Sequence, residues 1–303
     1  MRAPTAPNPR RVAPGGGAAP GPAYIIGLEA HYRGAALERQ LAQHGVAFGH
    51  YRGVDGRDWS PEEVERRADQ RAAQVLLHRR LTGGEIGCAA SHRGLLAYLH
   101  AQTSSAWPVV LEDDARLEPS FAHLAAALGA LPVEHPAVLV LYSHRDYTVL
   151  RARDLQVVRA DLVVGRSATP PIFTTGYVVN RAALALIAGR AEHAIDYVAD
   201  WPPQWSYDVE FYVAYPWMVR AGPDGASTLA VGRRALGPGG ESPATRALRR
   251  VSAVSGLRFV RHRALYPSLR GYLRHEVVGP LRRREARLVG RRLWGRLDAP
   301  FVL

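Results

Sequence analysis

The sequence predicts an α/β domain with a largely parallel central sheet. Short apolar runs alternate along the chain with stretches of helical periodicity, and this alternation is typical of successive strand–helix units. Hydrophobic residues make up 47% of the 303 residues, so the chain can bury a sizeable core. The single cysteine, Cys88, excludes an internal disulfide and a zinc site built on several thiolates.

The predicted elements begin with the apolar run 23–28, which indicates a buried strand. Leu37 and Leu41 lie at helical spacing and predict a helix that stops at Gly45. A second strand then ends in a turn at Asp55 and Gly56. Further along, the pattern predicts helices at 60–80, 83–102, 120–130 and 181–191, and strands at 107–112, 137–142 and 172–180.

The two ends of the chain differ from this domain in composition. Residues 1–22 are rich in proline, glycine and alanine and have no long apolar run, which predicts a disordered leader rather than a secretory signal. The predicted domain covers residues 23–232, and residues 1–232 together have a net charge of −1. Residues 233–303 hold 17 arginines and 4 acidic residues, so this C-terminal segment, which we expect to be helical, has a net charge of +13.

The overall pI of about 10.4 favours an anionic partner: a membrane surface, a nucleic acid or a phosphorylated substrate. Within 245–303, the stretch from Leu281 onward predicts an amphipathic helix surrounded by arginines, a type that lies on anionic membranes. The alternative is a solvated helix packed on the domain. We expect a cytoplasmic protein, peripheral on the inner face of the cytoplasmic membrane. Nucleic acid is disfavoured because the segment has no recognisable reading motif.

Three consecutive acids, Glu112, Asp113 and Asp114, follow the apolar strand that begins at Trp107. Ligands of open α/β sheets bind at the carboxyl ends of strands, so chemistry is expected at this point. Adjacent carboxylates repel one another unless water or a cation neutralises them. Because Mg²⁺ and Mn²⁺ prefer carboxylate oxygens, the triplet predicts a metal site; a solvated acidic turn is the alternative.

A second motif, LTGGEIGCAASHRGLL, lies upstream at residues 81–96. Thr82 and Glu85 have the spacing of a capping box, which predicts the start of a helix. Ser91 and His92 on that helix are candidates for substrate contact, although their residue types alone favour a structural role.

In combination, LTGGEIGC…SH and VVLEDDARLEPSF resemble glycosyltransferase family 25, which includes bacterial lipooligosaccharide galactosyltransferases and collagen galactosyltransferases. The resemblance extends over about residues 23–220. It includes the opening strand and its Val-Asp-Gly turn, TTGYVVNRAALALI at 174–187, AIDYVADWP and YPWMV.

The resemblance implies a GT-A-like fold and the transfer of a hexose, usually galactose, from a UDP-sugar to a saccharide acceptor. That acceptor would belong to a lipooligosaccharide or another cell-surface glycan and could be lipid-linked. A Mn²⁺ or Mg²⁺ ion would be held by Glu112, Asp113 and Asp114, with Asp114 as the first choice for a direct ligand. The residues that match nucleotide-binding positions are Arg33, Asp55, Gly56, Glu85, Ser91, His92, Gly176 and Tyr177.

An inverting transfer also needs a carboxylate that takes the proton of the acceptor hydroxyl. Asp196 matches the family's aspartate in this region, and Asp200 and Asp208 are further candidates. Asp200 alternatively caps a turn. The nearby aromatic residues form either a sugar-stacking platform or part of the core: Trp201, Trp205, Tyr207 and Tyr212. A metal-dependent phosphohydrolase that uses the same acids is a further alternative, and it would cleave UDP-sugars without an acceptor.

Overall fold

The computed structural model describes residues 19–222, apart from 78, 132–133, 144–148, 168–169, 190–193, 203–204 and 206–207, together with residues 10–11 and 301–302. The predicted basic helices of 245–297, and most of the predicted leader, therefore lie outside the described residues. Gly21, inside that predicted leader, donates its N–H to the carbonyl of Trp107 at 2.8 Å, so the ordered domain begins before residue 23.

A mixed sheet of ten strands forms the centre of the described structure, in the order β1-β7-β8-β10-β6-β9-β4-β2-β3, with β12 also on β7. Strands β3, β2 and β4 are parallel neighbours, whereas β9 runs antiparallel between β4 and β6. β5 and β11 form a separate antiparallel pair. The strands are β1 (Arg10–Arg11), β2 (Ala23–Gly27), β3 (Phe48–Arg52), β4 (Val109–Glu112), β5 (Ala115–Leu117), β6 (Ala137–Val140), β7 (Val149–Arg159), β8 (Leu162–Ser167), β9 (Gly176–Val179), β10 (Glu210–Tyr215), β11 (Val219–Ala221) and β12 (Phe301–Val302).

The helices of the described residues are α1 (Ala35–Gln43), α2 (Pro61–Arg67), α3 (Gln70–Leu77), α4 (Gly83–Gln102), α5 (Leu124–Leu128) and α6 (Arg181–Ala188). Two 3₁₀ turns cover Glu29–His31 and Pro119–His123. The helix predicted at 60–80 is two helices, because Ala68 bridges to Ile195 and Asp69 accepts the N–H of Ala72 as the cap of α3. None of these helices is long and apolar enough to cross a membrane.

The strands of the structure differ from the predicted ones in two places. The β7–β8 hairpin was not predicted, because arginines interrupt the apolar pattern of β7. The strand predicted at 172–180 begins only at Gly176, and the residues before it form an irregular segment. That irregular segment becomes part of the pocket described below.

The sheet is buried on both faces, and the alternation of side chains along each strand divides the core into two layers. Ile25 and Leu111 pack with Leu37 and Leu41 of α1 on one face. Ile26 of β2 and Val110 of β4 face the other layer of the core. There they pack with residues of α4 and α6: Leu95, Leu96 and Leu184. The result is a three-layer α/β/α arrangement.

The predicted helix at 83–102 is confirmed, together with its capping box. Thr82 Oγ1 accepts the N–H of Glu85, whose carboxylate in turn accepts the N–H of Thr82. The Glu85 side chain is fully buried, and Arg79 neutralises it through two hydrogen bonds of 2.7 and 2.6 Å. At the other end of α4, the Arg181 guanidinium donates to the carbonyls of Leu99, His100 and Thr103.

We expect Arg79→Ala to lower the free energy of unfolding by about 3 kcal/mol, because it leaves the buried Glu85 carboxylate without its counter-charge. The matched control is Arg66→Ala, which removes an exposed ion pair with Glu63 and should cost less than about 1 kcal/mol. Urea unfolding of both variants measures the difference. Equal losses would contradict a structural role for the buried pair.

Candidate active site

A pocket of about 360 Å³ opens at the edge of the sheet where β2, β3 and β4 end and β9 begins. This volume lies in the range of about 300–1,000 Å³ that is typical of small-molecule sites. Parallel strands present their carboxyl ends at one edge, so the segments that follow them meet there. The lining residues belong to segments 26–33, 53–57, 84–92, 112–114, 173–175, 198–200 and 221–222.

The three predicted metal-binding acids all line this pocket, but two of them contact opposite sides of it. Glu112 faces α4, where its Oε1 lies 3.2 Å from His92 Nε2 and accepts the Thr174 hydroxyl at 2.9 Å. Asp113, the next residue, contacts Arg33 near the start of α1. The alternation of β4 thus continues into the acidic triplet and separates neighbouring charges.

Arg33 bridges two of these carboxylates. Its backbone N–H donates to Asp113 Oδ2 at 3.0 Å, and its guanidinium donates to Asp113 Oδ1 at 3.1 Å and to Asp114 Oδ2 at 3.2 Å. Both oxygens of Asp113 are therefore hydrogen-bonded. The guanidinium is 38% exposed, so it can also reach an anionic ligand in the pocket.

Asp114 is the least compensated of the three acids. Its Oδ1 is buried and has no hydrogen-bond partner among the described residues. Burial raises the pKa of this carboxyl, and the nearby charges of Glu112 and Asp113 raise it further, against the opposing effect of Arg33. An orphaned carboxylate oxygen beside two other acids fits a hard divalent cation, which would supply the missing positive charge.

Glu112 belongs to a hydrogen-bonded chain that leads to the buried Tyr177. Burial disfavours the charged form of Glu112, but hydrogen bonds from His92 and Thr174 outweigh it and lower the pKa. Burial raises the pKa of Tyr177 well above its usual value, so the phenol keeps its proton. It can donate that proton to His92 Nδ1 at 3.1 Å, which leaves the Nε2 proton of the imidazole directed at Glu112.

Cys88 completes a second group of ligand-type atoms. Its Sγ, a ring nitrogen of His92 and a carboxylate oxygen of Glu112 lie within 4.8 Å of one another, so these three residues could hold a metal ion. Burial raises the pKa of the Cys88 thiol, and the charge of Glu112 raises it further. Only Glu112 is common to this group and the predicted acidic triplet, and the chemistry of a thiol and an imidazole suits a softer ion than Mg²⁺.

The loop after β3 is held tightly against α4. Ser91 Oγ accepts the N–H of Val54 at 2.7 Å and donates to the carbonyl of Gly87 at 2.7 Å. A Cβ on Gly87 would lie 2.5 Å from the carbonyl oxygen of Val54, and one on Gly56 would lie 2.1 Å from that of Gly83. Glycine is therefore required for the helix and the loop to approach each other this closely.

Asp55 lies in this loop and lines the pocket. Hydrogen bonds from the Arg57 guanidinium, with a backbone hydrogen bond and the charge of Arg57 in support, lower the pKa of Asp55 to about 2. The structure therefore brings together at the pocket eight of the residues predicted to contact nucleotide or metal: Arg33, Asp55, Gly56, Ser91, His92, Glu112, Asp113 and Asp114.

Three residues predicted to contact the nucleotide lie outside the pocket lining. Glu85 is buried in its contacts with Arg79 and Thr82. Gly176 packs inside the sheet, where a Cβ would approach Leu111 at 3.0 Å. Tyr177 is buried beneath the pocket, which it reaches only through His92.

Of the three candidate bases, only Asp200 lies in the lining of this pocket. Asp200 lines the pocket, and its Oδ1 accepts the N–H of Phe173 at 2.8 Å. Asp196 lies outside the lining and pairs with Arg93 at 3.0 Å, and Asp208 is exposed elsewhere.

Of the two alternatives for the aromatic residues near Asp200, a sugar-stacking platform or part of the core, the structure favours the core for those that it describes. Trp201, Trp205 and Tyr212 are each at most 7% exposed, because they pack around Tyr177, Phe211 and the sheet. Tyr207 lies outside the described residues.

Among the residues of the pocket wall that sequence reasoning missed are Arg57, Phe173 and Thr174. Arg57 lies two residues beyond the predicted turn, and its pairing with Asp55 was open to prediction from that spacing. No sequence signal marks Phe173, because its position depends on an irregular backbone with φ of 76°.

An α/β sheet that carries an acidic pocket with an adjacent guanidinium at its carboxyl edge is typical of enzymes that bind nucleotide-linked substrates. The sequence profile described as glycosyltransferase family 25 (LPS biosynthesis protein) matches residues 21–198. The chain belongs to this family, which confirms the resemblance predicted from the two motifs.

Two further comparisons give less. A solved structure similar to this chain is that of a glycosyltransferase involved in the glycosylation of the major capsid of PBCV-1. The identity is 13% and the TM-score 0.28, over 57% of this chain and 65% of that one, so the chain spans less than two thirds of that protein. No curated protein matches the chain.

We expect Asp114→Asn to raise the thermal unfolding midpoint in the absence of divalent cations. A raised carboxyl pKa means that the folded state binds the proton more tightly than the unfolded state. Protonation of Asp114 at low pH therefore stabilises the fold, and this stabilisation is lost as pH rises through the folded-state pKa. The isosteric amide removes the charge at neutral pH. Calorimetry of the variant, beside the exposed control Asp161→Asn, measures the effect.

The same variants test cation binding without measuring activity. A cation present at 100 times its Kd would stabilise the wild-type chain by about 2.7 kcal/mol, and Asp114→Asn should lose most of this gain. Mn²⁺ titration followed by calorimetry measures it. An equal Mn²⁺ effect in both proteins would rule out Asp114 as a ligand.

Proposed function

We propose that the chain is a glycosyltransferase that moves a hexose from a UDP-sugar to a saccharide acceptor of a cell-surface glycan, with galactose as the proposed hexose. Membership of glycosyltransferase family 25 supports the class of reaction. The observation that carries the proposal is the cluster of Asp113, Asp114 and Arg33 at the carboxyl end of β4, inside a pocket large enough for a small-molecule ligand.

The donor is proposed to lie with its nucleotide toward β2 and β3 and its diphosphate beside Arg33. The guanidinium offers charge-assisted hydrogen bonds to phosphate oxygens. Asp114, with Asp113 or Glu112, would hold a Mn²⁺ or Mg²⁺ ion, which acts as a Lewis acid on the departing diphosphate. Asp55, kept ionised by Arg57, is suited to accept hydrogen bonds from ribose hydroxyls.

We assign the general base of an inverting transfer to Asp200 rather than Asp196. Asp200 lines the pocket, on the side of β4 away from β2 and β3. A base must lie within hydrogen-bond reach of the proton that it removes, and Asp196 is instead paired with Arg93. The Phe173 N–H orients the Asp200 carboxyl, so that an acceptor hydroxyl can approach it from the pocket.

Release of UDP from UDP-galactose, with Mn²⁺ and a saccharide acceptor, tests the proposal. Asp200→Asn should lower kcat by about 10²–10⁴-fold, the usual contribution of a general base, whereas Asp196→Asn should change it less than tenfold. Thermal unfolding of each variant controls for folding. A larger loss in Asp196→Asn would contradict the assignment.

Omission of the acceptor distinguishes transfer from hydrolysis. A transferase should release UDP much faster with acceptor than without it, and the product should be a new glycoside that mass spectrometry detects. Equal rates with and without acceptor would favour the phosphohydrolase alternative.

The net charge of +13 over residues 233–303 supports a further part of the proposal, namely that this segment holds the enzyme on an anionic membrane surface. Triple replacement of Arg282, Arg283 and Arg284 by Gln should weaken binding to vesicles of anionic lipid by about a hundredfold, at about 1 kcal/mol for each arginine. Replacement of Arg66 and Arg67 is the control within the domain. Undiminished binding by the triple variant would contradict the membrane role.

A further inference from the structure

Phe173 is one of the few large apolar side chains that the described surface exposes, and it lines the pocket. Its ring is 37% exposed. It lies in the irregular segment before β9, on the side of the acidic triplet away from β2 and β3. An exposed aromatic ring in the wall of a pocket of this size is placed to contact a ligand that binds there.

The backbone at Phe173 is held in an unusual conformation. Its φ of 76° lies in the left-handed region, which glycine adopts without steric cost and a phenylalanine rarely adopts. The hydrogen bond from its N–H to Asp200 Oδ1, at 2.8 Å, helps to fix this geometry. Strained residues of this kind concentrate at ligand-binding sites, where the surrounding structure compensates for the strain.

The ring itself is also held in place. Tyr142 stacks on Phe173 with ring centroids 5.6 Å apart and an interplanar angle of 18°. Tyr142 packs edge-on against the buried Trp217, with centroids 6.1 Å apart. The ring is therefore supported by the core on one face and presented to the pocket with little freedom to turn.

We propose that Phe173 is the platform on which a sugar ring of the acceptor stacks. A pyranose has faces rich in C–H groups, which remove apolar area from water when they lie on an aromatic face, while its equatorial hydroxyls point outward near the plane of the ring. The site therefore takes a neutral saccharide rather than a second phosphate group. This inference rests on the proposed function and extends it to the acceptor.

The Asp200 hydrogen bond explains why this ring should serve the acceptor rather than the donor. The same carboxyl that we assign as the base for the acceptor hydroxyl also fixes the backbone of the platform. A sugar stacked on Phe173 would therefore have hydroxyls close to the Asp200 carboxyl. The hydroxyl nearest Asp200 is then the one glycosylated, so that the platform selects both the sugar and its reacting position.

The experiment compares Phe173→Gly, Phe173→Ala and Phe173→Tyr in the full chain, with lactose and methyl β-glucoside as acceptor probes and UDP-galactose as donor. The Gly and Ala variants should raise the KM for acceptor about tenfold or more, with the KM for UDP-galactose within twofold of wild type. The Tyr variant should stay within about threefold, since it keeps the ring. Phe48→Ala, an exposed phenylalanine outside the pocket lining, is the control.

Thermal unfolding separates the platform role from a structural one. Phe173→Gly relieves the left-handed strain, so its unfolding midpoint should not fall, although acceptor binding is lost. An unchanged acceptor KM in the Gly and Ala variants, or a rise in the donor KM instead, would overturn the inference.

Saturation-transfer NMR with lactose measures acceptor binding without measuring transfer, so it tests this inference separately from the proposed function. Signals from sugar C–H protons in the wild-type chain should disappear in Phe173→Ala and persist in Phe173→Tyr, even if no transfer from UDP-galactose is found. Signals of equal strength in wild type and Phe173→Ala would overturn it.

Discussion

The neutralisation of three consecutive carboxylates at the end of β4 is the constraint on which the rest of the site depends. The charge of each acid is compensated by a different set of contacts. Glu112 takes hydrogen bonds from His92 and Thr174, and Asp113 is enclosed by Arg33. Asp114 shares that guanidinium and retains one buried oxygen without a partner. Such crowding of negative charge raises the free energy of the folded protein, and a positively charged ligand group would lower it again.

The distances in this arrangement depend on how closely α4 approaches the loop after β3. The helix carries His92 to Glu112, and it also holds the loop after β3 at the pocket wall through the hydrogen bond between Ser91 and the backbone of Val54. Side chains on Gly56 or Gly87 would separate helix and loop. One helix therefore supplies both a hydrogen-bond partner of Glu112 and the close contact with the loop after β3, which explains why a single motif supplies the glycines, the serine and the histidine.

Much of the frame could be predicted from the sequence, because local signals determine it: the capping box predicted the start of α4, and the apolar runs predicted β2, β4 and β6. The family was predictable because two motifs together are specific. Side-chain partners were harder to predict, since they depend on the packing of distant segments. The aromatic cluster near Trp201 has the composition of either a platform or a core, and only burial among Tyr177 and Phe211 decides for the core.

The same reasoning applies to the two aspartates that precede this cluster in the chain. Asp196 and Asp200 are four residues apart, yet Arg93 ties the first to α4 and the N–H of Phe173 ties the second to the segment before β9. The chain between them therefore spans the gap between two elements that border the pocket. A shift of this segment would move the proposed base and the aromatic ring together, because they share a hydrogen bond. If this segment binds the acceptor as we propose, variation in it would change the accepted sugar while the acids of β4 and their counter-charges stay in place.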